Sequence, residues 1–284
     1  MFETVAIVGV GLIGGSFGLA LRKAGFGGRI LGVSSQAALA EALVRGAIDE
    51  ALPLDAAVGR ADLVFLSQPI RRILETLGAL DEWVRPGSLV TDAGSTKAQI
   101  IAHARGTIRR GQFLGGHPMA GKERRGAAEA EASLFAGRTW VLTPVDPSEL
   151  ETPAAREFLR WLRAIGALPA VLPPEEHDRI VAFTSHLPQL LSTALAATLA
   201  ARLPGPQDLQ VAGPGLADTT RLAASPYEIW RDILETNRKA VEAALDACIA
   251  QLDELRATLG SERTAEAFRR ANQFAERLKQ QGRG

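Results

Sequence analysis

One cysteine, Cys248, is too few for an internal disulfide framework or a cysteine-rich zinc module. Charge of one sign is also lacking. The 32 basic side chains balance 32 acidic ones, so no whole-molecule field draws the chain to nucleic acid or to an anionic membrane surface. Unbroken apolar runs of spanning length are missing too. Glycines interrupt Val5 to Leu21, and His186 and Pro188 interrupt Ile180 to Ala201, so neither stretch is expected to cross a membrane. Met1-Phe2-Glu3-Thr4 has no basic segment, which argues against a secretory leader. No group of His, Cys and carboxylates has metal-ligand spacing, and no metal is expected. These absences leave a protein of a reducing, cytoplasmic compartment. Its 284 residues suffice for one large domain or two ordinary ones. Any anion it binds must be met by locally placed positive charge.

The first part of the chain alternates short apolar runs with helical patterns. Val5 to Val8, Ile30 to Val33, Leu63 to Leu66 and Leu89 to Thr91 read as buried strands. Phe113-Leu114, Trp140 to Leu142 and Ala170 to Leu172 read as further short strands. Helices are expected between them, including Gln36 to Arg45, Ile73 to Trp83, Lys97 to Arg105 and Glu149 to Ile165. Such alternation implies crossover units and a mostly parallel sheet covered on both faces. After Pro173-Pro174 the texture changes, and no further strand is expected. Leu187 to Leu203 is apolar nearly all round, as in a helix buried in a core or an interface. Tyr227 to Leu259 reads as one long amphipathic pattern. The expected division is therefore residues 1–172 and residues 173–284.

Gly9-Val10-Gly11-Leu12-Ile13-Gly14 follows a strand and opens a helix. In that setting the first glycine permits the tight turn, the second lets backbone approach a pyrophosphate, and the third lets helix and strand pack closely. The helix N-terminus adds free N–H groups and the positive end of its dipole. The expected fold is α/β, an N-terminal Rossmann-type doubly wound sheet with a C-terminal all-helical domain. Gly9, Gly11, Leu12, Ile13 and Gly14 are the expected pyrophosphate contacts. Ser34 and Ser35 stand where an NAD-specific site carries a carboxylate for the ribose 2′-OH. NAD or NADP can be served, NADP being favoured, with Arg22 or Lys23 as candidates to reach the added phosphate. Gln68 and Pro69 end a strand on the side where open α/β sheets bind ligands, and are expected to touch the cofactor.

Asp92-Ala93-Gly94-Ser95-Thr96-Lys97 and Gly115-Gly116-His117-Pro118-Met119-Ala120-Gly121 carry the most specific signal. With Thr143-Pro144, Glu176-His177-Asp178, Ser185-His186-Leu187-Pro188 and Asp218-Thr219-Thr220-Arg221, they make the chain resemble the prephenate/arogenate dehydrogenase family of tyrosine biosynthesis. The resemblance runs to about Trp230. It implies a nucleotide-binding domain, a helical domain that forms a homodimer, and a small-molecule substrate bound between them. It also implies an oxidative decarboxylation. A cyclohexadienol gives up hydride to a nicotinamide and loses its ring carboxylate as CO₂, yielding tyrosine from arogenate or 4-hydroxyphenylpyruvate from prephenate. No regulatory domain is expected after the helical section.

His117, where the chain turns after a strand, suits acceptance of the hydroxyl proton near pH 7. The resemblance places Ser95 beside it in the catalytic group; the plainer reading of Ser95 is a helix N-cap. Arg221 suits a substrate carboxylate through paired hydrogen bonds, although Asp218 offers it an ordinary ion pair. Ser185, His186 and Gln189 fall at substrate-binding positions of the family pattern. Gln189 replaces a histidine of many prephenate-using members, and a neutral amide favours the ammonium of arogenate. Lys97 is expected to be solvated, His177 to cap a helix, and His103 to lie at the surface. Two rival readings are a β-hydroxyacid-type dehydrogenase and a non-catalytic dinucleotide-binding redox sensor. The first requires a lysine motif that Lys239 and Lys279 do not supply, and the second has no use for both His117 and Arg221.

Overall fold

The computed structural model describes residues 1–122, 124 and 126–281. It opens with β1 (Thr4–Val8), α1 (Leu12–Lys23), β2 (Arg29–Val33), α2 (Gln36–Val44), β3 (Glu50–Ala51) and α3 (Leu54–Val58). Next come β4 (Leu63–Leu66), α4 (Ile70–Leu80), β5 (Leu89–Asp92), α5 (Ala98–Thr107) and β6 (Gln112–Pro118). β7 (Thr139–Thr143), α6 (Pro153–Ala164) and β8 (Leu168–Val171) complete one sheet of order β3-β2-β1-β4-β5-β6-β7-β8. Only the β6–β7 pair is antiparallel. The run β3-β2-β1-β4-β5-β6 is the order of doubly wound nucleotide-binding sheets, and its direction reverses between β1 and β4.

The apolar strands are buried on both faces, and their residues divide with a period of two. Ile7, Leu63 and Phe65 join Phe17, Trp140 and Phe158 in one apolar layer. Ala6, Val8, Val64 and Leu66 join Ile73, Leu77 and Ile100 in the other. The continuous apolar runs thus record a sheet with helices on each side rather than a half-solvated one.

Several boundaries differ from the sequence expectation. Glu149 to Ile165 is not one helix: a short 3₁₀ turn over Pro147–Glu151 ends at Thr152, whose side chain caps α6 by accepting the Ala155 N–H at 3.2 Å. β6 is longer than Phe113-Leu114 and carries His117 within the strand, opposite Val141 of β7. The small β3 and α3 were not expected, being two and five residues long and too short to show a period.

All strands among the described residues precede Leu172. The helices that follow are α7 (Pro174–Val181), α8 (Leu187–Arg202), α9 (Pro214–Thr220), α10 (Tyr227–Thr236), α11 (Arg238–Ala257) and α12 (Glu262–Gln281). Tyr227 to Leu259 is broken at Asn237, which leaves helical geometry and gives its side chain to buried partners. α7 and α8 are joined by a widened, π-type turn over Ala182–His186. Pro188 has no N–H to return to the turn before it, and the widening lies immediately N-terminal to it. The helical stretch Pro174–Arg202 is, by length and composition, long and apolar enough to cross a membrane, despite His186 and Pro188.

The chain forms two compact units, Met1–Arg238 and Lys239–Gly284. The break in texture near residue 173 is therefore not where contacts thin. α7 stays with the sheet because the Asp178 carboxylate accepts the Lys97 and Ala98 amides at 2.7 and 2.9 Å, capping α5.

Candidate functional site

Two crevices and a buried polar chain bring the candidate residues together. The first crevice opens where the sheet reverses. Gly9 leaves β1 at φ +99°, and a Cβ there would meet the Ser67 backbone at 2.8 Å. A Cβ on Gly14 would strike Gly9 O, and Ile7 Cγ2 at 2.8 Å, so helix and strand close up as the motif requires. A Cβ on Gly11 would meet nothing within 4 Å. Gly11 is also the N-cap of α1 and brings no side-chain cap, so the first-turn N–H groups remain for an anion. This open cradle before an uncapped helix fits a dinucleotide pyrophosphate.

The crevice holds about 800 Å³ and is lined by Gly9, Gly11, Ser34, Ser35, Gln68 and Pro69, all six expected there. Leu12 and Ile13 are not in that lining; both are half-buried and pack against the core. The Ser35 hydroxyl caps α2 by accepting the Ala38 N–H at 3.4 Å. Arg22 does not reach this region. It donates to Phe26 O and Gly28 O, each at 2.7 Å, and pairs with Asp49. Arg72 lines the crevice instead, paired with Glu75 at 2.7 Å. Its signal was its place in the first turn of the helix after the switch-point strand β4.

His117, on β6, is half-buried. Its Nδ1 lies 2.8 Å from Nε2 of His177, and Nδ1 of His177 lies 2.8 Å from Oδ1 of Asp178. His177 is fully buried and caps nothing, since the N-cap of α7 is Pro173. Lys97 is likewise fully buried rather than solvated. Its ammonium pairs with Asp92 at the end of β5 and donates to Gly116 O at 2.8 Å, fixing the backbone next to His117. Asp92 also accepts the Gly94 and Gly116 amides at 2.8 and 3.1 Å. Ser95 is half-buried in the turn between β5 and α5. The N-cap of α5 is Lys97, so Ser95 is not the cap. Neither buried role could be inferred locally, because Glu-His-Asp before a helical pattern and Ser-Thr-Lys after a strand both resemble ordinary helix starts.

Burial sets the electrostatics. Desolvation, reinforced by His177, Lys97 and His186, holds the His117 imidazole well below its ordinary value of 6.5, so it is neutral near pH 7. Desolvation also lowers His186 to about 4, against an opposing pull from Asp178. Lys97 is lowered by burial although Asp92 favours its charge.

The second crevice, of about 700 Å³, brings Gln189 and Arg221 together with Lys122, Arg124, Ser225 and Trp230. The two cations following Gly121 were not anticipated. The Gln189 amide nitrogen donates to Leu222 O at 2.9 Å and Thr193 Oγ1 at 3.2 Å. The side chain therefore has its carbonyl oxygen to offer a ligand. His186 does not line the crevice. It lies behind Trp230, ring centroids 6.0 Å apart, with Nδ1 3.3 Å from the Asn237 amide nitrogen. Ser185 is half-buried in the widened turn and also stays out of the lining. His103 is half-buried on α5 rather than exposed.

Residues 17–167 match the family described as prephenate dehydrogenase, nucleotide-binding domain, and residues 173–279 match prephenate dehydrogenase, dimerization domain. The first match begins inside α1, so the glycine loop rests on its own geometry. The chain is 34% identical over 278 residues to prephenate dehydrogenase of Bacillus subtilis, covering 95% of this chain and 73% of that one. A solved prephenate dehydrogenase from Aquifex aeolicus, in complex with hydroxyphenyl propionate and NAD+, is 32% identical with a TM-score of 0.84 over 98% of this chain and 96% of that one. Arogenate dehydrogenase from Synechocystis is 31% identical with a TM-score of 0.82, over 98% of this chain and 99% of that one.

Proposed function

This chain belongs to the prephenate dehydrogenase family, and from that premise we propose that it oxidatively decarboxylates arogenate or prephenate with a nicotinamide dinucleotide. The observation that carries the reading is His117 hydrogen-bonded to the buried His177–Asp178 pair, in a chain whose two halves both match the family. When bound, the dinucleotide supplies the acceptor for hydride from the carbon bearing the substrate hydroxyl. His117 takes the hydroxyl proton, and Ser95, in the turn between β5 and α5, is the second member of the catalytic group. As the ring carboxylate leaves as CO₂, its bonding electrons close the aromatic ring. Arg221 holds a substrate carboxylate in the second crevice, whose lining also includes Lys122 and Arg124, paired with Glu131 at 2.8 Å and Glu129 at 3.7 Å respectively.

The first crevice takes the dinucleotide, through the Gly9–Gly14 loop and through Gln68 and Pro69. NADP is the favoured form. Ser34 brings no carboxylate against a 2′-phosphate, and Arg72 lines the same crevice. Arogenate is the favoured substrate, because the carbonyl of Gln189 suits an ammonium better than an imidazolium would. Ser185 and His186 support the substrate crevice from behind. Residues 1–172 act as the nucleotide-binding domain and 173–284 as the substrate and dimerisation domain. Exposed Leu191 and Leu195 on α8, and separately Phe268 and Phe274 on α12, are apolar faces that a homodimer would cover. Working as a cytoplasmic enzyme suits its one free cysteine.

The test is a matrix of kcat/KM values for arogenate and prephenate with NAD⁺ and NADP⁺, followed by reduced-nicotinamide absorbance. Arogenate with NADP⁺ is expected to lead, and no turnover in any combination overturns the reading. Light scattering is expected to show twice the 30.2 kDa chain mass.

A further inference from the structure

The protons along the buried chain behind His117 can be assigned one bond at a time. The Asp178 carboxylate only accepts, and it already takes the Lys97 and Ala98 amides at 2.7 and 2.9 Å. Nδ1 of His177, 2.8 Å from Oδ1, is therefore the donor of that bond. A neutral His177 carries its one proton there, so its Nε2 accepts. The atom facing Nε2 at 2.8 Å is Nδ1 of His117, which must then be the donor. A neutral imidazole has one N–H, so Nε2 of His117 keeps a lone pair.

We propose that His177 and Asp178 are positioning residues that hold the His117 proton on Nδ1 and thereby leave Nε2 as the proton acceptor of the site. What that lone pair does rests on the dehydrogenase reading, whereas the proton placement depends on no substrate. In the reaction the substrate O–H bond breaks, its proton forms a bond to His117 Nε2, and the electron pair left on oxygen forms the carbonyl as hydride departs. No proton need travel to Asp178. Asn237 steadies the same unit from α10 by donating to Asp178 O at 2.8 Å.

The ionisable groups around the two rings are Lys97 and Asp92 from the β5–α5 side, Asp178 from α7, and His186 from the widened turn. Desolvation and the neighbouring Lys97 oppose a positive charge on His117. A His177 imidazolium would reverse the inter-histidine bond and put the His117 proton on Nε2, which would abolish the acceptor. The two arrangements are therefore distinguishable.

Four histidines make ring-nitrogen NMR of ¹⁵N-histidine-labelled wild type direct, with each ring assigned by single replacement. The expected result at pH 7 is the Nδ1–H tautomer for both His117 and His177; an Nε2–H tautomer at His117 overturns the proposal. The kinetic arm uses His177→Gln, whose amide oxygen can accept from His117 Nδ1, and His177→Leu, which cannot. The Gln variant is expected to retain kcat within about tenfold. The Leu variant is expected to lose roughly 10²-fold or more in kcat with an unchanged dinucleotide KM. A misplaced tautomer in a serine-protease triad costs about 10⁴. Equal kcat for the Leu variant and wild type overturns the positioning role. Undiminished turnover in His117→Asn would overturn the acceptor role of Nε2. No turnover of wild type with either substrate and either dinucleotide would defeat the dehydrogenase reading alone, since the tautomer measurement stands apart from it.

Discussion

Replacing Lys97 with Met tests whether the buried ammonium maintains the end of β5 and the start of the His117 segment. Met is similar in length and removes only charge and hydrogen bonding. Lys97 and Asp92 are both fully buried, so loss of the ammonium leaves a carboxylate that retains only the Gly94 and Gly116 amides, at 2.8 and 3.1 Å. Stranding one member of a buried pair costs about 3–5 kcal/mol, because the remaining charge has lost both water and its counterion. Gly116 O also loses its 2.8 Å donor, which adds about 1 kcal/mol. A total of about 4 kcal/mol or more lowers Tm on the order of 10 °C in a unit of this size. Urea unfolding followed by tryptophan fluorescence measures it. Adding Asp92→Asn should recover about 1 kcal/mol or more, since a neutral amide no longer needs a counterion. A Lys97→Met variant within about 1 kcal/mol of wild type, or a double variant worse than the single by the full Asp92 cost, refutes the reasoning.

Acid should weaken the fold through His186. Its folded value of about 4 lies below the ordinary 6.5, so the unfolded chain binds the proton first. Stability from this group is complete above about pH 6.5 and falls by up to about 3 kcal/mol as pH drops to about 4, read as urea midpoints; a midpoint independent of pH in His186→Gln and in wild type alike contradicts it. Gly14→Ala should destabilise by about 1–3 kcal/mol and weaken dinucleotide binding in a fluorescence titration, because its Cβ would meet Ser67 Oγ at 2.5 Å. Arg72→Ala should raise KM for NADP⁺ more than for NAD⁺, and equal changes would remove it from the 2′-phosphate. His117→Asn should lower kcat by about 10²–10⁴ while dinucleotide affinity holds.

Local patterns carried the sheet. Four-residue apolar runs such as Leu63 to Leu66 have no polar side to expose, so they read as strands covered on both faces, and the structure has them so. The glycine loop was equally legible, because its requirements are backbone requirements of consecutive residues. β3 and α3 were not visible, being two and five residues long and too short for a period. The break at Asn237 was also hidden, since the apolar spacing continues through it.

By itself the amino-acid sequence determined which elements form, that they alternate around a mostly parallel sheet, where the glycine cradle lies, and which family the motifs resemble. Those properties depend on neighbours within a few residues along the chain. Only the tertiary structure decided what His177 and Lys97 do. Alone, each is an ordinary polar residue at a helix start, and water would satisfy it. Folding places α7 against α5, removes the water, and leaves His117, Asp178, Asp92 and Gly116 as the remaining partners. Partners 60 and 19 residues apart are chosen by burial. A desolvated polar group must find a hydrogen bond wherever the fold supplies one.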